Sequence, residues 1–434
     1  QKNPIVNDGI LYIANSISTR IYAYDAQYDI SYLPNGFNDY SNRLDHKIIN
    51  SPASTTKNTI VVATGSSESG GGVANKVVAL NANELQSQEW VFSFGSVNTD
   101  DSSICYEASP VLSENRIYLT SWNGDSSLLD DVFDFFNLSK GNNKLICLTD
   151  EGSYEWSQDL SAGSFASPAV SEDLDLVVAG CEKLNGDSLF AFNLDGTGIW
   201  TADVGPIGYA SPVIYEDAVY VVSKKTGQNP LTAYTQVVAL DASSGSIKWN
   251  TTIGDIIPEL YSNAAYSSPA VADGFLYVAS PDGILYKIDT DDGSVVKTKT
   301  IWTKGVSSSI LRSSPAYADD MIYIGIPSGY LYAINADTLE KSWDKKTDQS
   351  SPIFSSPVVV DGFVYYVDES YALYCRGKQQ ISENEQITGE MVSMPITRPN
   401  NWYWERFDVV HDTNTGYIKY SILDEDYDVL IDDI

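Results

Sequence analysis

The chain is poor in the side chains that usually carry acid–base and metal chemistry. Its 434 residues include 2 histidines and 4 cysteines. His46 and His411 have no nucleophile motif beside them, so neither a histidine-based triad nor a zinc site is expected. Four cysteines do not form a disulfide framework in a chain this long. Cys147 and Cys181 fall in neighbouring sequence repeats, where they either approach each other or lie buried as free thiols.

Basic residues and long apolar runs are also scarce. The chain has 26 basic and 58 acidic residues, which gives a net charge of −32. This balance argues against nucleic acid and anionic membrane surfaces as partners. No apolar run reaches the roughly 18 residues that a membrane-spanning helix needs. Helical periodicity is nearly absent, and the composition, rich in Ser, Asn, Thr and Tyr, is typical of an extracellular or cell-surface protein.

A proline-anchored phrase occurs eight times and organises the chain. The copies begin at Asn3-Pro4, Ser51-Pro52, Ser109-Pro110, Ser167-Pro168, Ser211-Pro212, Ser268-Pro269, Ser314-Pro315 and Ser356-Pro357. Their mean spacing is roughly 50 residues, a period typical of propellers and repeat arrays. In the clearest copy, SSPAVADG, FLYVASPDG, ILYKIDTDDG and SVVKTKTIW are four β-runs separated by Gly/Asp turns. The pattern predicts an all-β, eight-bladed propeller of four-stranded antiparallel blades.

A tryptophan follows the third β-run in six repeats, where it is expected to dock between adjacent blades. The six are Trp90, Trp156, Trp200, Trp249, Trp302 and Trp343. Together with Ser-Pro-Ala-Val, Asp-Gly-x-Leu-Tyr-Val and Leu-Tyr-x-Ile-Asp-x-x-x-Gly, this pattern resembles the PQQ-type (quinoprotein-like) propeller repeat over about residues 3–380. The resemblance implies the fold. It leaves the function open, because quinone-dependent dehydrogenases, outer-membrane assembly lipoproteins and many surface proteins share this repeat.

The residues separate these three implied functions. The dehydrogenases carry two adjacent cysteines above the quinone and a Ca²⁺ held by Glu, Asn and Asp. This chain has no adjacent cysteines, so PQQ and quinone-dependent catalysis are not expected. The assembly lipoproteins carry a lipidated cysteine at the mature N-terminus, whereas the first cysteine here is Cys105. A docking scaffold of that kind and a PQQ-dependent enzyme remain the alternatives to a non-catalytic binding module.

The irregular length of the repeats falls on one predicted face, which is where function is expected. The insertions are residues 66–75, 122–143, 182–187 and 224–235 in blades 2 to 5. The second of these supplies a predicted acidic and apolar flap, whose weak candidates for Ca²⁺ are Asp125, Asp130, Asp131 and Asp134. The predicted ligand- or partner-binding residues, for a protein or a glycan, are Tyr106, Trp122, Asp125, Asp131, Asp134, Tyr209 and Tyr261.

The last part of the chain departs from the repeat. Residues 378–390 are expected to supply the outer strand of blade 8, and a seven-bladed ring is the alternative. The predicted domains are therefore a propeller at 1–390 and a partial β-sandwich or jelly-roll-like segment at 391–434. The strand-like runs 402–409 and 417–424 resemble the opening of modules that follow propellers in archaeal cell-surface proteins. We expect a secreted or cell-surface module of a longer envelope, S-layer or adhesion protein.

Overall fold

Successive β-sheets follow the sequence repeats in the computed structural model of the chain. The structure describes residues 3–15, 19–25, 39–41, 44, 48, 50–64, 76–93, 104–105, 108–123, 143–183, 185–226, 233–257, 267–303, 311–347, 350–370, 372–377, 421–423 and 429–432. These residues form strands and turns, and none of them is helical. Accordingly, no helix within these ranges has the length and apolarity that a bilayer crossing requires.

The strands are numbered in chain order. The first eighteen are β1 (Ile5–Asn7), β2 (Ile10–Asn15), β3 (Arg20–Asp25), β4 (Asp39–Tyr40), β5 (Ala53–Ser54), β6 (Thr59–Ala63), β7 (Val77–Asn81), β8 (Gln88–Phe92), β9 (Ile104–Cys105), β10 (Val111–Ser113), β11 (Arg116–Thr120), β12 (Trp122–Asn123), β13 (Lys144–Thr149), β14 (Tyr154–Asp159), β15 (Ala169–Ser171), β16 (Leu176–Gly180), β17 (Leu189–Phe192) and β18 (Gly198–Ala202). The others are β19 (Val213–Tyr215), β20 (Ala218–Thr226), β21 (Ala233–Asp241), β22 (Ile247–Ile257), β23 (Ala270–Ala272), β24 (Phe275–Ala279), β25 (Ile284–Asp289), β26 (Val295–Thr300), β27 (Ala316–Ala318), β28 (Met321–Gly325), β29 (Tyr330–Asn335), β30 (Lys341–Lys346), β31 (Val358–Val360), β32 (Phe363–Val367), β33 (Leu373–Gly377), β34 (Ser421–Leu423) and β35 (Val429–Asp432).

Each blade is an antiparallel meander in sequence order. Blades 1 to 7 are the sheets β1–β4, β5–β8, β10-β11-β13-β14, β15–β18, β19–β22, β23–β26 and β27–β30, and blade 8 is β31–β33. β9 and β12 form a separate antiparallel pair beside blade 3. The predicted outer strand of blade 8 lies outside the described residues. Tight first turns set the strand register: Asp273 and Gly274 take φ values of 53° and 77°, so that Ala272 pairs with Phe275.

Eight separate apolar clusters fill the spaces between neighbouring blades. One of them joins the two ends of the propeller, where Leu11 and Ile13 of blade 1 pack with Tyr365, Val367 and Cys375 of blade 8. Burying these side chains removes apolar surface from water and so stabilises closure. The eight-bladed ring is therefore confirmed, and the seven-bladed alternative is wrong.

A circle of hydrogen bonds links the recurring Ser-Pro phrases around the channel. In seven of its eight steps the backbone N–H of one blade donates to the serine Oγ of the next, over 2.7–3.1 Å. The last step runs from Ser356 N to Asn3 Oδ1 at 2.8 Å. Asparagine thus takes the serine's place in blade 1. The sequence repeat is explained by this circle, since every copy supplies one donor and one acceptor.

The predicted tryptophan docking is visible at four successive interfaces. The indole N–H groups of Trp90, Trp156, Trp200 and Trp249 donate to carbonyl oxygens in the next blade, over 2.8–3.1 Å. Trp343 occupies the same register in blade 7, opposite Ala333. Trp302 differs from the expectation. It lies beyond the end of β26, and Lys297 holds the register position in blade 6.

The chain divides into two units, residues 1–377 and 378–434. The predicted boundary at 390 falls outside the described residues and remains a prediction. In the second unit, β34 pairs antiparallel with β35. β34 lies within the predicted run 417–424, whereas its partner β35 was not foreseen from the sequence. The other predicted run, 402–409, lies outside the described residues.

Candidate functional site

One face of the propeller carries the long connections. Successive strands of an antiparallel meander reverse direction, so the links from second to third strand and from blade to blade open on the same side. In blade 5 this side extends into the long hairpin of β20 and β21, with β22 beside them. The predicted assignment of the insertions to one face is consistent with this topology. We call it the insertion face.

On the insertion face, the segments that lead into blades 4 and 5 are held by neighbouring backbone groups. Ser164 N donates to Ser121 O, and Glu182 N donates to Gly163 O. Lys224 N donates in the same way to Pro206 O. These bonds bring together three predicted insertions and two lead-in segments. They define what we call the mouth cluster, which consists of Trp122, Phe165, Glu182, Tyr209 and Lys224.

The aromatic members of the mouth cluster contact one another in a row. The Trp122 ring meets Phe165 edge-on at a centroid distance of 5.5 Å. Phe165 stacks on Tyr209 at 5.2 Å with an interplanar angle of 22°. Trp122 is 5% exposed, whereas Phe165 and Tyr209 are half-buried. The row therefore runs from a buried indole to partly accessible rings at the mouth of the channel.

Two polar atoms of the mouth cluster are buried without a hydrogen-bond partner among the described residues. They are the indole Nε1 of Trp122, a donor, and the carboxylate Oε1 of Glu182, an acceptor. A buried polar atom without a partner costs about 1–3 kcal/mol. Because native folds satisfy most such atoms, we expect both to be paired by a group that the described residues do not supply. A ligand for this pair must offer an acceptor and a donor.

Burial sets the electrostatics of the same cluster. Desolvation raises the pKa of the Glu182 carboxyl, and the positive charge of Lys224 partly offsets that effect. Desolvation likewise lowers the pKa of Lys224, which Glu182 partly restores. Each charge therefore favours the ionised form of the other, and removing either one shifts the remaining group further towards its neutral form.

A second aromatic contact lies further around the channel mouth. The exposed Arg312 places its guanidinium carbon 5.1 Å from the centre of the Phe354 ring. Arg312 and Phe354 lead into blades 7 and 8, at the position that Phe165 and Tyr209 occupy before blades 4 and 5. A cation over an aromatic face contributes about 0.5–1 kcal/mol at an exposed site.

Part of the mouth cluster was predicted from the sequence. The predicted residues Trp122 and Tyr209 are joined through Phe165, which the prediction omitted. Glu182 and Lys224 were recognised only as parts of insertions. A sequence signal could have identified Phe165. An aromatic residue or arginine stands two positions before the serine of the Ser-Pro phrase in five consecutive blades. The predicted residues outside the described ranges are Tyr106, Asp125, Asp130, Asp131, Asp134 and Tyr261.

The three cysteines whose side chains the structure describes are all buried. Cys147 and Cys181 are buried free thiols, and Cys375 is buried as well. Cys147 and Cys181 lie in the same interblade cluster without a disulfide, which confirms the alternative that they are buried as free thiols. Burial raises the pKa of Cys181 to about 11. Because the thiolate is the reactive form, a buried thiol of this kind is inert at neutral pH.

Comparison with known families agrees with the repeat. A family profile described as outer membrane protein assembly factor BamB matches residues 134–227 and 188–399. The chain belongs to this BamB-type repeat family. No curated protein sequence matches the chain.

Solved structures with the same fold include both members of this family and enzymes. BamB from Moraxella catarrhalis is 12% identical, with a TM-score of 0.60, and the match covers 86% of this chain and 95% of that one. A europium-containing methanol dehydrogenase is 11% identical, with a TM-score of 0.59 and coverages of 86% and 82%. Quinohemoprotein alcohol dehydrogenase from Comamonas testosteroni is 12% identical, with a TM-score of 0.60 and coverages of 91% and 76%. At these identities the likeness shows the BamB-type propeller fold alone.

Proposed function

We propose that this chain is a non-catalytic binding module of a secreted or cell-surface protein and that its insertion face contacts the partner. The mouth cluster carries the proposal. It gathers half-buried aromatic rings and two buried, unsatisfied polar atoms on the side where blades 2 to 5 are extended. Such groups contribute to recognition when a partner covers them. We propose further that Ca²⁺ rigidifies the flap at Asp125, Asp130, Asp131 and Asp134.

The partner contact can be tested by removing the largest insertion. Deletion of residues 124–141 should abolish binding to isolated cell envelopes of the source organism, measured by co-sedimentation, and should leave the β-sheet circular dichroism unchanged. Shortening the blade 2 insertion at 66–75 is the matched control and should weaken binding less. Full envelope binding after the 124–141 deletion would place the contact elsewhere and overturn the proposal.

Two alternatives are separated by ligand-dependent stability. A ligand that binds only the folded state raises the melting temperature. Melts with EDTA, with Ca²⁺ and with Ca²⁺ plus PQQ should show no further rise on adding PQQ. A rise specific to PQQ would favour a quinone-dependent enzyme. A docking scaffold for envelope assembly is the second candidate, favoured by the BamB-type family match, and it predicts that the envelope component bound is a protein.

A further inference from the structure

The unsatisfied atoms of the mouth cluster restrict the chemistry of whatever covers it. Trp122 Nε1 can only donate a hydrogen bond, and Glu182 Oε1 accepts one as a carboxylate oxygen. Both atoms are buried without a partner among the described residues, so a ligand reaches them only when the side chains that cover them move aside. A hydroxyl group supplies a donor and an acceptor in one atom, so a polyhydroxylated ligand matches both requirements.

The backbone places these two atoms on either side of the same lead-in segment. Ser121, which precedes Trp122, accepts from Ser164, and Gly163 accepts from Glu182 N. Phe165 follows in that segment and carries the stack with Tyr209. The donor, the acceptor and the aromatic rings therefore belong to adjacent chain segments rather than to scattered parts of the insertion face.

The charges of the cluster favour a neutral ligand over an ionic one. Glu182 and Lys224 partly offset each other's charge, and a neutral ligand adds no further charge to the cluster. The chain as a whole carries a net charge of −32, which repels anionic ligands at long range. Aromatic rings with apolar faces suit the C–H faces of pyranose rings, while the hydroxyls reach the polar atoms.

We infer that the mouth cluster is a binding site for a neutral oligosaccharide, with Phe165 and Tyr209 as the stacking surface and Trp122 Nε1 and Glu182 Oε1 as hydrogen-bonding groups. The inference rests on the proposed function, because it names the ligand of the insertion face. A peptide strand would also offer donors and acceptors, and it is the alternative that the experiment separates from a glycan.

The test compares three variants of the full chain on an array of neutral hexose and N-acetylhexosamine oligosaccharides. Titration calorimetry then measures affinity for the oligosaccharide with the strongest array signal. Trp122→Phe keeps the ring and removes Nε1, so it should weaken binding about tenfold, as expected for one lost hydrogen bond of about 1.4 kcal/mol. Its melting temperature should stay the same or rise, because an unsatisfied buried donor disappears. Tyr209→Leu should also weaken binding.

Trp200→Phe is the matched control. Its indole N–H is satisfied by Ala242 O at 2.8 Å, so this change should lower the melting temperature and leave oligosaccharide affinity unaltered. Absence of binding by the unmodified chain to every neutral oligosaccharide overturns the inference, and so does equal affinity in Trp122→Phe. If envelope binding still depends on residues 124–141 in that case, the proposed function stands with a protein partner. Failure of both experiments removes both proposals.

Discussion

Two interfaces of the propeller, between blades 4 and 5 and between blades 6 and 7, differ in one respect. The same turn of the following blade accepts a hydrogen bond from a different side chain in each. In the first, Trp200 Nε1 donates to Ala242 O over 2.8 Å. In the second, the hydroxyl of Tyr277 donates to Ala336 O over 3.2 Å. Ala242 and Ala336 are equivalent, since each directly follows the last residue of a third strand, Asp241 or Asn335.

A second difference accompanies the first. A Cβ added to Gly245, three residues after Ala242, would lie 2.5 Å from the Trp200 ring. The equivalent residue in blade 7 is Leu339, which is 1% exposed and fills the space that the indole would take. Leu339 nevertheless keeps the left-handed backbone of the glycine, with φ of 53° against 69° for Gly245. The tryptophan of one blade and the glycine of the next therefore form a pair.

The interface between blades 1 and 2 repeats the tryptophan-free solution. Tyr12 donates its hydroxyl to Ala82 O, and Leu85 is fully buried at the position of the glycine. Blade 6 adds a cation. Lys287 Nζ lies 3.0 Å from Asp337 Oδ1 of blade 7 and 4.1 Å from the centre of the Phe275 ring. The comparison shows that side chains on two different repeats must change together, so a repeat cannot be exchanged without its neighbour.

The largest expected effect comes from breaking a tryptophan-docked interface. Trp200→Ala should lower the free energy of unfolding by about 3–5 kcal/mol, because it removes a buried ring and leaves a cavity. Urea denaturation measures the loss. Trp302→Ala is the control and should cost less than half as much, since Trp302 is only half-buried and lies outside the docking register. Equal losses would show that docking does not distinguish the two tryptophans.

The reciprocal change tests the tryptophan-free interface. Leu339→Gly should cost about 2–4 kcal/mol, because the lost apolar side chain outweighs a relief of roughly 1–2 kcal/mol at its left-handed backbone. The triple variant Lys287→Ala, Lys297→Trp and Leu339→Gly rebuilds the tryptophan-docked interface. It should recover part of the free energy of unfolding that Leu339→Gly loses. The triple variant is compared with the double variant Lys287→Ala, Leu339→Gly by the same urea denaturation. No gain on adding the tryptophan would contradict the pairing of indole and glycine.

The smallest expected effect concerns the acid response of the two turns. Hydrogen bonds from Ser243 and Ser244 to the Asp241 carboxylate lower its pKa to about 2. Its stabilising contribution is therefore complete above its ordinary pKa of 3.8 and is lost as the pH falls through about 2. Asn335 makes similar bonds in blade 7 and does not titrate. Amide NMR shifts between pH 5 and 2 should move at Ser243 and Ser244, which donate to the titrating carboxylate, and should move less at Thr338, which follows the titrating Asp337 but donates to an amide.

Much of the fold could be predicted because the repeat records it directly. Each Ser-Pro phrase supplies a step of the hydrogen-bonded circle, and each Gly/Asp turn sets a hairpin. Ring closure could not be predicted in the same way. It depends on Asn3 and on the cluster of Leu11 with Tyr365, which join residues more than 350 positions apart. The position of Trp302 was also misjudged, because distance from the third β-run does not give strand register.

The site was less predictable than the fold. Trp122 and Tyr209 were found as aromatics in irregular segments, but their connection through Phe165 depends on how two lead-in segments lie side by side. The role of Glu182 depends on burial, which one acidic residue among many does not reveal. Local patterns therefore predicted the scaffold, while contacts between blades decided which side chains meet.

The circle of serines has a consequence for recognition. Phe165 and Tyr209 each stand two residues before a serine of that circle, Ser167 or Ser211. Their backbones are thus tied closely to the hydrogen-bonded circle before any ligand arrives. Preorganisation of this kind reduces the loss of conformational entropy on binding. The backbones of Phe165 and Tyr209 should therefore keep their positions when a ligand binds, and any adjustment should be confined to side chains.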